Sequence, residues 1–366
     1  MTLIIDSHQD LAWNMVNLGR DYTQSVFAIR ESEKNTPIPT YNGNTLLGWP
    51  QYQQANVAIV FGTLFCVPRQ HAQGEYNIQL YETPQEAHDC YRQNLDAYLR
   101  LTEQHPDKYR LLRSKPELNQ HLSQWQSHLK QKEESPPPVG IVVLMEGADG
   151  VQEPAEVEQW YAWGVRIIGP AWAGTRYCGG TREPGPLTKE GYALLDRMAD
   201  LEMVLDISHM DHLSARQSLD HYPGQMIASH SNAEALIPGI PINRHLKDET
   251  IHQLVDRDGV MGIVPLNAFL DWEWRDHGGR DAISLEKYID QIDYVCQIAG
   301  NTSHVAIGTD FDGGYGVESV PHEVESIADL PKLITHLEKR GYNQEDIERI
   351  LNGNWLRILH NNLPTS

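Results

Sequence analysis

The chain has 366 residues, with 29 Lys plus Arg against 50 Asp plus Glu, a formal charge of −21. So acidic a surface repels phosphate backbones and anionic bilayers, which argues against nucleic-acid and membrane partners. With 40% apolar and 22% charged residues it reads as globular rather than disordered, and its length suits one large domain, residues 1–366.

The opening Met1-Thr2-Leu3-Ile4-Ile5-Asp6 has no basic stretch before its short apolar run, so no signal peptide is expected. No apolar run approaches the roughly 20 residues of a membrane span. Cys66, Cys90, Cys178 and Cys296 are scattered without a Cys-x-x-Cys pair, which suits a reduced, cytoplasmic protein.

Strand-like apolar runs come in this order: Leu3–Ile5, Val57–Phe65, Val139–Met145, Val165–Ile168, Met203–Ile207, Met226–Ala228, Val260–Val264 and Val305–Ile307. Helical periodicity appears between most of them, as in Glu86–Leu101, Leu187–Leu201, Leu285–Ala299 and Ile327–Lys339. The Pro-rich stretch Gln131–Pro138 reads as the end of a polar helical insertion. Strands alternating with helices predict parallel β/α units, and eight such units predict an α/β fold of the (β/α)8 TIM-barrel type. An open doubly wound sheet is the alternative, weakened by the lack of Gly-x-Gly-x-x-Gly after a strand.

The residues just after these runs carry the chemistry. Leu3-Ile4-Ile5 leads into Asp6-Ser7-His8-Gln9-Asp10, and Met145 into Glu146. Asp206-Ile207 leads into Ser208-His209, Ala228 into Ser229-His230, and Ile307-Gly308-Thr309 into Asp310. In a barrel these five strand ends open on one face, where the active site lies. His8 and Asp10, two apart, point the same way and can address one ion. Glu146 has two oxygens and can bridge, His209 and His230 can complete a second site, and Asp310 is then left to move protons. Two divalent ions a few ångströms apart can hold a bridging hydroxide and polarise a carbonyl.

Asp6 and Asp206 are expected to satisfy backbone donors, and Asp312 to bind the amides of Gly313 and Gly314. His105, His121, His128 and His336 are expected at the surface. Arg176 and Arg244 can each hold a carboxylate by a two-pronged hydrogen bond or sit in a surface ion pair, and for Arg176 the ion pair is the favoured reading. Trp172 and Tyr177 either line a cavity or pack the barrel rim. The segment from Tyr22 to Gly48 reads equally as a lid or a static rim.

Taken together, Asp6–Leu11, Met145-Glu146-Gly147, Leu205–Met210, Ser229–Ala233, Arg244–Asp248, Gly308–Gly313 and Asn354-Trp355-Leu356-Arg357 resemble the membrane (renal) dipeptidase family of metallopeptidases, M19, in the amidohydrolase superfamily. The resemblance runs from residue 3 to about residue 360. It implies a (β/α)8 barrel with two zinc ions. His8 and Asp10 would hold one, His209 and His230 the other, and Glu146 would bridge them. Asp310 would be the acid/base and Arg244 the anchor for the substrate carboxylate. The implied reaction is hydrolysis of dipeptides, often with a D-residue at the C-terminal position, and family members are often homodimers.

Two positions depart from the family pattern. Trp172 stands where the family has a His near the scissile carbonyl, and Glu146-Gly147-Ala148-Asp149 replaces Glu-Gly-Gly-His. Trp172 motivates a second reading, a metal-dependent hydrolase of another small amide, lactam or ester. A third is a metal-binding barrel without turnover.

Overall fold

The computed structural model describes residues 2–72, 78–131 and 136–366. All eight apolar runs are strands: β1 (Ile4–Gln9), β2 (Val57–Leu64), β3 (Val139–Glu146), β4 (Val165–Gly169), β5 (Val204–Asp206), β6 (Met226–Ala228), β7 (Val260–Ile263) and β8 (Val305–Ile307). They pair in parallel in chain order. A parallel bridge between Gln9 and Phe311, and an Asp310 N–H donated to the His8 carbonyl at 3.1 Å, bring the β8 end back to β1. The result is a nearly closed (β/α)8 barrel. A doubly wound sheet would show a reversal of strand order, and among the described residues there is none.

The strands are apolar on both faces because helices cover the outside. Ile5, Ile59, Phe61, Val142, Leu144, Ile167, Val204, Ile227 and Val260 belong to one cluster, and Ile4, Val60, Val143, Ile168, Leu205, Ala228 and Met261 beside them belong to the larger one. Trp355 joins the first cluster, edge-on to Phe61 with ring centroids 5.4 Å apart, and its indole N–H donates to the Ile307 carbonyl at 2.9 Å. Asn354 donates to the carbonyls of Thr302 and Val305 at 2.7 and 2.8 Å. This closing helix, Asn354–Asn362, is therefore tied to both ends of β8.

The long β2–β3 connection holds the helix Pro84–Gln104, opened by a Thr83–Glu86 capping box, then the strand Tyr109–Leu111 and the helix Lys115–Gln131. That strand pairs with the start of β3. The Pro-rich stretch falls partly outside the described residues, at 132–135. The expected helix Ile327–Lys339 is split into a 3-10 turn, Ile327–Asp329, and a helix, Lys332–Arg340. Pro331 lies at the break, where its ring is incompatible with the preceding turn. Among the described residues no helix is long and apolar enough to cross a membrane.

His121 corrects the surface expectation. It lies on the buried face of the Lys115–Gln131 helix, and its Nε2–H donates to the Ala58 carbonyl at 2.8 Å. Nδ1 has no partner among the described residues. Burial pushes its pKa down to about 4. The unfolded chain, with an imidazole pKa near 6.5, then binds the extra proton between pH 6.5 and 4. Stability is full above that window and falls within it by roughly 3 kcal/mol as pH drops. His121→Gln is expected to lose about 3 kcal/mol less than the wild type between pH 7 and 4 in urea unfolding. Parallel pH curves for the two proteins would disprove the assignment.

Candidate metal and substrate site

The C-terminal strand ends open on a cavity of about 380 Å³, lined in part by Asp10, Glu146, Trp172, His209, Arg244 and Asp310. His8 and His230 lie beneath it, with their rings stacked 3.5 Å apart. Three carboxylate–imidazole groups each fall within 4.8 Å: His8, Asp10 and Glu146; Glu146, His209 and His230; and His8, His230 and Asp310. Glu146 Oε1 is 3.1 Å from His209 Nε2 and 3.2 Å from His230 Nε2, and its Oε2 is 3.6 Å from His8 Nε2.

Hydrogen bonds behind the rings set their tautomers. The Ser229 hydroxyl donates to the buried Asp206 carboxylate. The Ser229 oxygen is then left to accept from His230 Nδ1 at 2.8 Å and His8 Nδ1 at 3.2 Å. Thr181 repeats the device for His209: its hydroxyl donates to the His209 carbonyl at 3.3 Å and accepts from Nδ1 at 3.0 Å. All three Nε2 lone pairs therefore point at Glu146. His209 Nε2 and His230 Nε2 lie 3.0 Å apart with no proton between them in these tautomers. Two facing lone pairs repel unless a cation shares them, and His8 Nε2 is buried without a hydrogen-bond partner among the described residues. The donor set fits divalent cations.

The charges agree. Burial opposes protonation of His8, yet Glu146, Asp10 and Asp310 raise its pKa to about 9, so without a cation they draw a proton onto Nε2, and the Nε2 lone pair is free only when a cation takes that proton's place. Burial, with Glu146 beside it, raises Asp10 to about 7, and burial holds Asp310 well above the usual carboxylate range. Protein charges alone leave Asp10 and Asp310 under-compensated, whereas His8, His209 and His230 hold Glu146 well below the usual carboxylate range.

Local backbone geometry serves the same groups. His209 and Asp310 have φ of 64° and 57°, in the left-handed region that non-glycine residues rarely occupy. Gly147 turns the chain after Glu146 at φ 78°, and a Cβ there would sit 2.8 Å from the Tyr91 hydroxyl, which donates to the Glu146 carbonyl at 2.7 Å. A Cβ on Gly262 would collide with the Ser229 carbonyl. Arg244 is buried, donating to the Ser231 hydroxyl at 3.2 Å and the His230 carbonyl at 2.7 Å.

The structure thus brings His8, Asp10, Glu146, His209, His230, Asp310, Arg244 and Trp172 to one place. Asp6 accepts from the Thr309 N–H at 2.7 Å, and Asp206 from the Ser208 and Ser229 N–H groups at 3.0 and 2.9 Å. Asp312 differs from expectation. It is buried against the arm after β1, accepting from the Leu46 N–H at 2.7 Å and the Tyr22 hydroxyl at 2.8 Å, and pairing with Arg20 at 3.1 Å. These bonds hold the Tyr22–Gly48 segment to the β8 end, where Asn42 lines the cavity. Arg176 is half-buried rather than at the surface: it donates to the Val151 carbonyl, lies over Tyr177, and forms no salt bridge among the described residues, although its charge acts on Asp149. Asp149, the family departure beside Glu146, accepts from Tyr81 at 2.7 Å and does not line the cavity. Ser229, Thr181 and Thr63, which donates to Asp10, do not stand out in the sequence. Ser229 adjoins His230, and a hydroxyl preceding a candidate ligand is the signal for it.

A model of the family described as membrane dipeptidase, peptidase family M19, matches residues 1–363. The chain belongs to this family. Membership places it among the metallo-dipeptidases. An uncharacterised protein encoded 5′ of pqqA in Klebsiella pneumoniae is 36% identical over 234 residues, which are 61% of this chain and 82% of that protein. Dipeptidase aclJ of Aspergillus oryzae is 31% identical over 175 residues, 48% of this chain but 39% of that protein. Among solved structures, a metallopeptidase from Rhodobacter sphaeroides, bound to a phosphinate mimic of L-Ala-D-Ala, superposes with a TM-score of 0.78 at 19% identity. The match covers 99% of this chain and 100% of the other. The probable dipeptidase PvdM of Pseudomonas aeruginosa gives 0.75 at 18% identity, covering 98% and 95%. At these identities the structural matches speak to the fold.

Ser229→Ala removes the shared acceptor of two imidazole N–H groups. It is expected to weaken metal binding 10–100-fold, read by chelator competition, while leaving folding intact. Unchanged affinity would show that Ser229 does not set the tautomers.

Proposed function

We propose that this M19 member, read as one domain, hydrolyses dipeptides that carry a free C-terminal carboxylate, using two divalent ions, zinc by the family resemblance. The observation that carries this reading is the convergence of three Nε2 lone pairs on Glu146 beneath a cavity that also presents Asp310 and Arg244. His8 and Asp10 would hold one ion, His209 and His230 the other, and Glu146 both. When bound, such ions lower the pKa of water and polarise a carbonyl.

Arg244 would receive the substrate carboxylate on the guanidinium edge not engaged by Ser231 and His230, and so orient the scissile bond over the ligand cluster. An Asp310 carboxylate oxygen would take the proton of the attacking water and deliver it to the departing amine nitrogen. Trp172 would shield the far side of the cavity from water. Acceptance of a D-residue at the C-terminal position belongs to the same proposal. Its support is the family resemblance, together with the L-Ala-D-Ala mimic held by the Rhodobacter protein.

The test is hydrolysis of L,L- and L,D-dipeptides by zinc-reconstituted protein, with a chelated control. Chelator-sensitive cleavage is expected. A metal-loaded protein that cleaves none of them would transfer the activity to other small amides or lactams.

A further inference from the structure

Trp13, Phe65 and Val67 form an apolar cluster separate from the two that build the core, and Trp172 packs against it. All four residues line the cavity. The Phe65 and Trp172 ring centroids lie 5.1 Å apart, and the Trp172 ring is 6.2 Å from that of His209. The cluster is therefore a continuous apolar wall beside the candidate metal ligands.

Its position in the barrel gives it a direction. Trp13 comes after β1, Phe65 and Val67 after β2, and Trp172 after β4. Arg244 lies between β6 and β7, on the opposite side of the ring of strands, with its guanidinium 5.5 Å from the Phe269 ring. A dipeptide whose carboxylate sits on Arg244 and whose scissile carbonyl lies over the Glu146 cluster must send its N-terminal residue toward β1, β2 and β4.

We propose that the Trp13–Phe65–Val67–Trp172 wall is the side-chain site for the substrate's N-terminal residue, and that it selects dipeptides with a large aliphatic or aromatic residue there. The proposal rests on the dipeptide reading above. The physical basis is desolvation. An apolar side chain is removed from water against the wall, whereas a glycine leaves the wall wet and a charged side chain loses hydration there. The rim carries His71, which is already paired with Glu183 at 3.0 Å, and the exposed Arg182. Covering a Leu or Phe side chain is worth roughly 10–100-fold in affinity over glycine.

The experiment uses zinc-loaded protein and phosphinate dipeptide mimics with Gly, Leu, Phe or Asp at the N-terminal position and Ala at the other. Dissociation constants come from calorimetry, and kcat/KM from the matching dipeptides. The Leu and Phe mimics are expected to bind about 10–100-fold more tightly than the Gly mimic. Trp172→Ala should remove most of that ratio, and Trp172→Phe should retain it. Equal affinities across the series, a ratio unchanged in Trp172→Ala, or a preference for Asp would overturn the assignment. Graded binding without turnover of any dipeptide would refute hydrolysis but support the wall. Turnover with flat binding would refute the wall alone, and failure of every mimic to bind would refute both.

Discussion

Asp310→Asn is expected to keep its metal content and lose about 10²–10⁴ in kcat. The carboxamide matches the carboxylate in shape but cannot take up a proton at that oxygen. Asn also tolerates the left-handed backbone that residue 310 adopts at φ 57°, so the loop need not rearrange. Asp310 is half-buried beside Asp10, Glu146 and His8, its Oδ1 3.9 Å from His8 Nε2. It lies outside both Glu146-centred groups but shares His8 and His230 with them in a third, so metal content and turnover have to be read together. Metal analysis and steady-state kinetics on the same preparation decide the matter. A variant with full metal and near-wild-type kcat would end the proton-transfer role, and one without metal would make Asp310 a ligand.

Arg244→Ala is expected to lower kcat/KM for dipeptides by roughly 10²–10³, mostly through KM, because a buried charged hydrogen-bonding partner of the carboxylate is removed. Dipeptide amides, which lack that carboxylate, should lose far less. The comparison matters because Arg244 also donates to the Ser231 hydroxyl and the His230 carbonyl. If the variant disturbed His230 rather than the substrate carboxylate, amides and acids would fall together, and metal affinity with them. Arg244→Lys should recover only part of the loss, since an ammonium cannot form the two-pronged contact.

The fold is legible in the sequence because both strand faces are buried, so each strand is a short apolar run bounded by polar segments. Ile4–Gln9 and Val305–Ile307 stand out for this reason. The split in Ile327–Lys339 is also signalled in the sequence, by Pro331, although the helical spacing that continues through it conceals the break. The burial of His121 is hidden because its segment is polar overall, although Leu118, Leu122 and Trp125 share its buried face. The metal-type residues are legible because each lies at or directly after a strand end, and in a parallel barrel strand ends have a common destination. Asp312 misleads for the opposite reason: its partners Arg20, Tyr22 and Leu46 lie far away in the chain, toward the opposite terminus.

By itself the sequence determined the alternation of strands and helices, and with it the eight-stranded barrel. It also determined which ionisable residues would stand at the strand ends. Those are local properties, carried by hydrophobic period and by the identity of the few residues bounding each run. Only the tertiary structure decided that one serine oxygen serves both His8 and His230. Only it set the Trp13–Phe65–Val67–Trp172 wall across from Arg244 and bound the Tyr22–Gly48 arm to Asp312. Such relations join side chains from different strand ends at hydrogen-bond or van der Waals range, a distance that closing the barrel creates and no run of residues encodes.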